Sequence, residues 1–272
     1  MGEMAEDRIY ADRRGKTDVY VGSPLGLTLV AVSDDRVGRF RLLRRGAVRD
    51  VATGDGSVLI ATDEDVYRSK DGGESFEATE FGRAVAVGID DDPIATGPDG
   101  TVARFDKGAD EWQRLGNVTD AHAIDAGWLA AGDGVYRVGN DGLEHAGLGT
   151  ARDVTAGETV LVVNADGVHR YADGEWTTER SADLQAVASD GERAHAVGTN
   201  GLYEYGGEGE WTRRESPIGE RIVDVGYAGG IVAVTEAGTI LVDPAAAKDG
   251  ATGWRTRSLG LEAVSGLAVA DW

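Results

Sequence analysis

The chain has 272 residues and no cysteine, so disulfides, thiol nucleophiles and thiolate metal sites are excluded, while the length allows one large β domain or two ordinary ones. Its 48 acids against 27 bases leave a net charge of −21, which repels phosphate backbones and argues against nucleic acid as a ligand. Only four of the bases are lysines (Lys16, Lys70, Lys107 and Lys248). An acid-rich, lysine-poor surface suits a cytosol of molar salt, where the Debye length falls to about 3 Å and like charges repel little.

The first residues, MGEMAEDRIYADRRGKT, are charged and lack an apolar secretory region, and no run of about 18 apolar residues follows anywhere. A cytoplasmic protein without a membrane partner is the expectation. Three short apolar stretches come next, at 17–23, 26–33 and 37–43, the first two separated by PLGL. Then a pattern repeats six times, at about 48–82, 84–117, 121–149, 152–181, 185–219 and 222–260. Each copy has a short apolar strand, a Gly/Asp turn and a second strand such as VLIAT or VLVVN. A DG or NG turn leads to a third strand such as GVYRV or GLYEY, and a polar turn to a fourth that opens on Trp or Phe. Second strands apolar at almost every position belong to sheets covered on both faces. Four strands per unit, repeating about every 36 residues, are the pattern of stacked propeller blades.

The first strands are anchored by Val51, Val87, Ile124, Val154, Val187 and Val225, spaced 36, 37, 30, 33 and 38 residues apart. A seventh anchor, Leu267 in AVSGLAVADW, has only five residues after it. Its unit is completed by the three N-terminal strands, in a composite blade of 17–43 plus 263–272 that removes an unpaired sheet edge. The fold class expected is therefore all-β: one seven-bladed β-propeller domain over 1–272, four antiparallel strands per blade, closed by both ends of the chain.

SKDGGESF, residues 69–76, resembles the Asp-box S-x-D-x-G-x-[ST]-[WF] of sialidase-like and other BNR-repeat propellers. Ser69, Asp71, Gly73, Ser75 and Phe76 fill all five specified positions. The residues suit a turn: Asp and Ser satisfy backbone N–H groups, glycine permits positive φ, and the aromatic packs beneath. The resemblance implies a peripheral, structural element rather than a catalytic one. Taken whole, the ring pattern and the acidic composition resemble haloarchaeal propeller proteins of unassigned function, which implies the fold and a halophilic setting but no activity.

A sialidase needs an arginine triad, a Tyr nucleophile paired with Glu, and an acid Asp. FRLL at 40–43 resembles the arginine motif of those enzymes only superficially and falls in an outermost strand. Tyr67, Tyr136 and Tyr203 occupy one column of the third strands, and Trp112, Trp176, Trp211 and Trp254 recur at the fourth, as architectural residues do. His122, His145, His169 and His195 fall at non-equivalent places without metal-ligand spacing. The triplet Asp90–Asp91–Asp92 reads as solvated charge in a turn, and no phosphate loop, nucleophile elbow or dinucleotide fingerprint occurs. No cofactor and no metal are expected.

Function is expected at the face where the first strands begin. There the positions just before the anchors carry Arg49, His122, Arg152 and Gln185, with Arg83 and Arg221 slightly upstream. The matching loops offer Asp63, Asp99, Asp133, Asp166 and Asn200. Arginines around a mouth can fork onto a carboxylate, a phosphate or an acidic peptide; the alternative is that they pair with Asp50, Asp153 or Asp224 and only join blades. The expectation is a monomeric, non-catalytic binding or scaffold module for a protein or small anion. Two other readings are kept: an enzyme of unrecognised chemistry, with a glycosidase-like hydrolase nearest, and an assembly factor acting through its rim.

Overall fold

A computed structural model describes residues 16–33, 36–199, 201–244 and 253–270. The Val- and Ile-rich second strands SVLIAT and GIVAVT, and the smaller AHAVG, are buried along their whole length. β-branched side chains fit a pleated surface that is covered on both sides. Among the described residues there are 28 strands and no helix, so none is long and apolar enough to cross a membrane.

The strands form seven four-stranded antiparallel sheets. Blade 1 contains β1 (Lys16–Ser23), β2 (Gly26–Ser33), β3 (Arg36–Arg45) and, innermost, β28 (Gly266–Val269). Blade 2 runs outward from the axis as β4 (Val48–Gly54), β5 (Ser57–Thr62), β6 (Val66–Ser69) and β7 (Glu77–Ala78). Blade 3 is β8 (Ala86–Asp90), β9 (Asp92–Thr96), β10 (Thr101–Asp106) and β11 (Glu111–Asn117). Blade 4 is β12 (Ala121–Asp125), β13 (Trp128–Ala131), β14 (Gly134–Val138) and β15 (Leu143–Gly147). Blade 5 is β16 (Asp153–Ala156), β17 (Val160–Val163), β18 (Val168–Ala172) and β19 (Glu175–Arg180). Blade 6 is β20 (Leu184–Ser189), β21 (Ala194–Gly198), β22 (Gly201–Gly207) and β23 (Glu210–Arg214). Blade 7 is β24 (Ile222–Ala228), β25 (Gly230–Thr235), β26 (Thr239–Asp243) and β27 (Arg255–Ser258).

The composite closure expected from the sequence is present. β28 pairs antiparallel with β1 in the register Val19↔Val269, Tyr20↔Ala268, Val21↔Leu267 and Gly22↔Gly266. The period of two then divides β1 between two cores. Val19 and Val21 join Val232, Val234 and Ile240 of blade 7, whereas Tyr20 joins Val48, Val58 and Ile60 of blade 2. The hydrophobic core is thus laid between blades, and each fully buried Val, Leu or Ile side chain contributes about 1.5–3 kcal/mol. The seven anchors are all buried in the cores between blades, and their strands line a channel cavity of about 380 Å³.

Fourth-strand tryptophans tie each rim to the blade before it. The Nε1 of Trp112 donates to Thr79 O (2.9 Å), that of Trp176 to Ala146 O (2.8 Å) and that of Trp211 to Glu179 Oε2 (2.7 Å). Tyr67 and Tyr203 lie under the guanidinium groups of Arg44 and Arg180 from the preceding blades, 3.6 and 4.7 Å from the ring centres. Asp90, Asp91 and Asp92 do turn the β8–β9 hairpin, but they are not simply solvated. Arg104 pairs with Asp90 at 2.9 Å, and Lys107 lies 3.5 Å from Asp92 while also donating to Asp91 O.

Candidate functional site

Residues at the start of the inner strands, together with the loops between second and third strands, surround one end of the channel. Arg49, in β4, donates to both oxygens of Asp63 in the β5–β6 loop, at 3.2 and 2.7 Å. Arg83, in the β7–β8 loop, reaches the same carboxylate at 3.5 Å. This fork holds the Asp63 carboxyl below the usual carboxylate range, chiefly through its bond from Arg49, and raises Arg49 in turn. Arg152 donates to Asp183 Oδ1 (2.5 Å) and to Leu184 O (2.8 Å) across the gap between blades 5 and 6. Gln185 next to it donates to Ile222 O (2.8 Å) and accepts from Arg221 (2.5 Å), which also lies 3.5 Å from Glu236. A cavity of about 280 Å³ lies beside Arg221, lined by Thr199, Ser216 and Glu220 among others.

The structure therefore brings five of the six mouth residues into two groups, Arg49 with Arg83, and Arg152 with Gln185 and Arg221. His122 stands apart, exposed and 3.9 Å from Asp120. Of the loop acids, Asp63 joins the first group. Asp99 is turned onto Thr101, Asp133 accepts from Thr119 N, and Asn200 lies outside the described residues. The acids that complete the second group, Asp183 and Glu236, were not foreseen: Asp183 lies in the loop that enters blade 6, and Glu236 in the β25–β26 loop, blade 7's counterpart of the loop carrying Asp63.

No mouth arginine pairs with Asp50, Asp153 or Asp224. Neighbouring residues on a strand point to opposite faces, and these aspartates turn toward the channel wall. Asp50 accepts from Val51 N (2.8 Å) and from Val87 N of blade 3 (2.9 Å). Asp153 does the same with Val154 and Val187 (2.8 and 2.7 Å), and Asp224 with Val225 and Leu267 (2.7 and 2.8 Å). Asp125 accepts from Ala156 N (2.7 Å). Each carboxyl clasps its own blade to the next through backbone amides of the anchor strands. Burial pushes Asp50 up to about 7 and Asp224 to about 6, and raises Asp125 and, most strongly, Asp153, where the Asp224 charge adds to burial.

SKDGGESF forms the turn between β6 and β7, at the rim and remote from the mouth. Asp71 Oδ1 accepts from Ser75 N (2.9 Å) and from Ser69 Oγ (2.7 Å), and Oδ2 from Ser75 Oγ (2.6 Å). Ser69 Oγ in turn accepts from Gly73 N (2.8 Å). These bonds to the carboxylate hold Asp71 down at about 2. Gly73 has φ +89°, and a Cβ there would come within 2.4 Å of Leu43 in blade 1. Tyr20 donates to Gly72 O (3.1 Å), and Phe76 packs against the core shared by blades 1 and 2. The turn thus fastens two blades, one of them the composite. Arg41 of FRLL belongs to the same rim contact, paired with Glu74 and outside the mouth.

Of the remaining histidines, His169 bonds Asn164 Oδ1 (2.9 Å) and Thr178 Oγ1 (3.0 Å), and His145 lies against Asp133 O (3.3 Å). His195 is buried with its Nδ1 2.6 Å from the Tyr227 hydroxyl, and burial lowers it to about 3. Among the described residues no three His, Asp or Glu side chains are grouped to hold a metal ion.

A family model described as "Beta-prop_HVO_0234:-like, beta propeller" matches residues 3–270. The chain belongs to this HVO_0234-like beta-propeller family. No curated protein matches it. Solved structures resemble this family member in fold. A computationally designed protein, Ika8, is 16% identical with a TM-score of 0.62, over 90% of this chain and 85% of the other. A putative 6-phosphogluconolactonase from Bacteroides fragilis is 12% identical with a TM-score of 0.62, over 95% and 99%. YCF48 bound to D1 peptide is 15% identical with a TM-score of 0.59, over 77% and 80%. Identities this low carry the fold alone.

Proposed function

We propose that the protein is a non-catalytic binding or scaffold propeller that engages a protein segment or small anion at its arginine-bearing mouth. The observation that supports this is the state of the four arginines. Arg49, Arg83, Arg152 and Arg221 keep side-chain exposures of 54, 65, 42 and 55%, while surface carboxylates hold them in position. Exposed ion pairs of this kind are weak, about 0–1 kcal/mol each, so an incoming carboxylate or phosphate can replace Asp63, Asp183 or Glu236 as the forked partner. The buried inter-blade clasps use other carboxyls, so the bridges that Arg83, Arg152 and Arg221 make between blades are the exposed, replaceable ones. A structurally similar propeller, YCF48, has been solved with a peptide, an example of this architecture as a peptide-binding scaffold. The acid-rich, lysine-poor composition supports work in a salt-rich cytoplasm.

The test is calorimetric titration with inorganic phosphate and with succinate in 2 M KCl, for the intact protein and for Arg49→Gln/Arg152→Gln/Arg221→Gln, alongside pull-down with both as bait. Binding or a stoichiometric partner that the triple variant loses, at an unchanged melting temperature, supports the reading. Ligands held equally by both proteins would refute it.

A further inference from the structure

The seven outermost strands differ sharply in charge. β7, β15 and β19 each carry one more acid than base, and β11 is balanced. β23 carries one more base than acid, β27 has two arginines and no acid, and β3 has five arginines and no acid in ten residues. The three basic strands belong to blades 6, 7 and 1, which are consecutive around the ring. In a molecule of net charge −21 this is a local reversal of sign on one side of the rim.

Some of these arginines have structural partners: Arg41 has Glu74, Arg44 covers Tyr67, and Arg214 has Asp243. Arg39, Arg45, Arg255 and Arg257 are exposed, and none forms an ion pair with a carboxylate among the described residues. Arg257 instead donates to the carbonyls of Val37 and Gly38, with its guanidinium 5.0 Å from the Phe40 ring centre. Phe40 is one of two large hydrophobic side chains exposed among the described residues, and it sits in the middle of the stripe. Exposed arginines without a carboxylate partner, on the strand of an exposed aromatic or the neighbouring one and with one of them laid against its ring, are the composition of an interface. β3 is also the longest strand and forms the open edge of its sheet.

We propose that the outer strands of blades 1 and 7 form a docking surface for an acidic, extended segment of another protein. The segment lies along β3 with carboxylates on Arg39, Arg45, Arg255 and Arg257 and an apolar side chain on Phe40. Charge complementarity selects this occupant. A second β3 edge would bring arginine against arginine, which is how charged edges resist self-pairing. A long polyanion would extend from the patch over the acidic remainder of the surface. The site is separate from the mouth and does not depend on its assignment.

The probe is a fluorescein-labelled twelve-residue peptide of alternating Glu and Phe, read by fluorescence polarisation in 1 M KCl against a Gln/Phe peptide of the same pattern. The acidic peptide should bind in preference to the neutral one. Arg39→Gln/Arg45→Gln/Arg255→Gln/Arg257→Gln should weaken it about tenfold or more, four exposed ion pairs being lost. Arg39→Gln/Arg45→Gln, which leaves the Arg257 contacts to β3 intact, should weaken it by a smaller factor at an unchanged melting temperature. Both rim variants are also made in the Arg49→Gln/Arg152→Gln/Arg221→Gln background, where any share of binding that belongs to the mouth is removed, and the same losses should appear there. Equal binding of acidic and neutral peptides, or rim variants that bind like the intact protein, would overturn the proposal. So would tighter binding of a single-stranded oligonucleotide than of the peptide, or a dimer in light scattering that the rim variants abolish.

Discussion

Replacing Asp50 by Asn tests the channel clasps through their pH dependence. In the native protein the two carboxyl oxygens accept from Val51 N and Val87 N, and burial raises the group from 3.8 to about 7. A carboxyl raised on folding contributes its full stability below about pH 4, and that contribution is lost as pH rises through about 7. The shift is about three units at 1.36 kcal/mol each, a swing of about 4 kcal/mol, of which about 2–3 kcal/mol falls between pH 5 and pH 8. Asn cannot ionise, so it has no such swing, but it turns an NH₂ toward one of the two amides and costs about 1–3 kcal/mol at any pH. The variant should therefore be less stable than the native protein at pH 5, with the gap closed or reversed at pH 8. Urea unfolding followed by circular dichroism, in 2 M KCl at both pH values, reads the difference directly. A stability gap that stays constant or widens from pH 5 to pH 8 would refute the reasoning, because Asp50 would then be ionised throughout.

Deleting residues 263–272 removes β28, its four-residue pairing with β1 and the amide that Asp224 holds; gel filtration should show aggregation, and unfolding should lose cooperativity. Ser69→Ala leaves the Gly73 amide without its acceptor inside a buried turn, so stability should fall by about 1–3 kcal/mol in denaturant titration, with binding at the mouth unchanged. Lowering KCl from about 2 M to about 0.1 M lengthens the Debye length to about 10 Å and exposes self-repulsion at −21, so the melting temperature should drop substantially. A flat melting temperature across that range would count against adaptation to salt.

Blade number and ring closure were legible because each rests on one kind of residue at one position. An apolar anchor such as Val51 or Leu267 must be buried between two blades, and a second strand such as VLIAT must be covered on both sides. The partners of polar groups were less legible. Asp50 and Asp153 bond to backbone amides of the following blade, and backbone amides leave no mark in a sequence. Arg152 and Arg221 were placed at the mouth by position alone; Asp183 reaches Arg152 only through the packing of blades 5 and 6, while Glu236, in blade 7's own second-to-third-strand loop, was within reach of the same reasoning that named Asp63. The basic rim was missed for another reason. Charge was weighed over the whole chain, while β3 and β27 are about 210 residues apart and become neighbours only when the ring closes. Five arginines in ten residues of an acidic protein were the available signal, and FRLL drew attention only as a fragment of an enzyme motif.

Closure by β28 also sets an order of events during synthesis. The inner edge of β1, whose Val19 and Val21 are fully buried in the finished ring, has no partner until residues 266–269 leave the ribosome. At about 5–20 residues per second that interval is about 12–50 s. For that time six blades can assemble by short-range pairing while an apolar strand edge at one end stays open to other chains. The final contact has one of the largest sequence separations in the molecule, so its loop-closure cost comes late, after most of the compensating contacts exist. Ring closure, rather than blade formation, is then the step at which a holding chaperone or a crowded neighbour competes with the native fold.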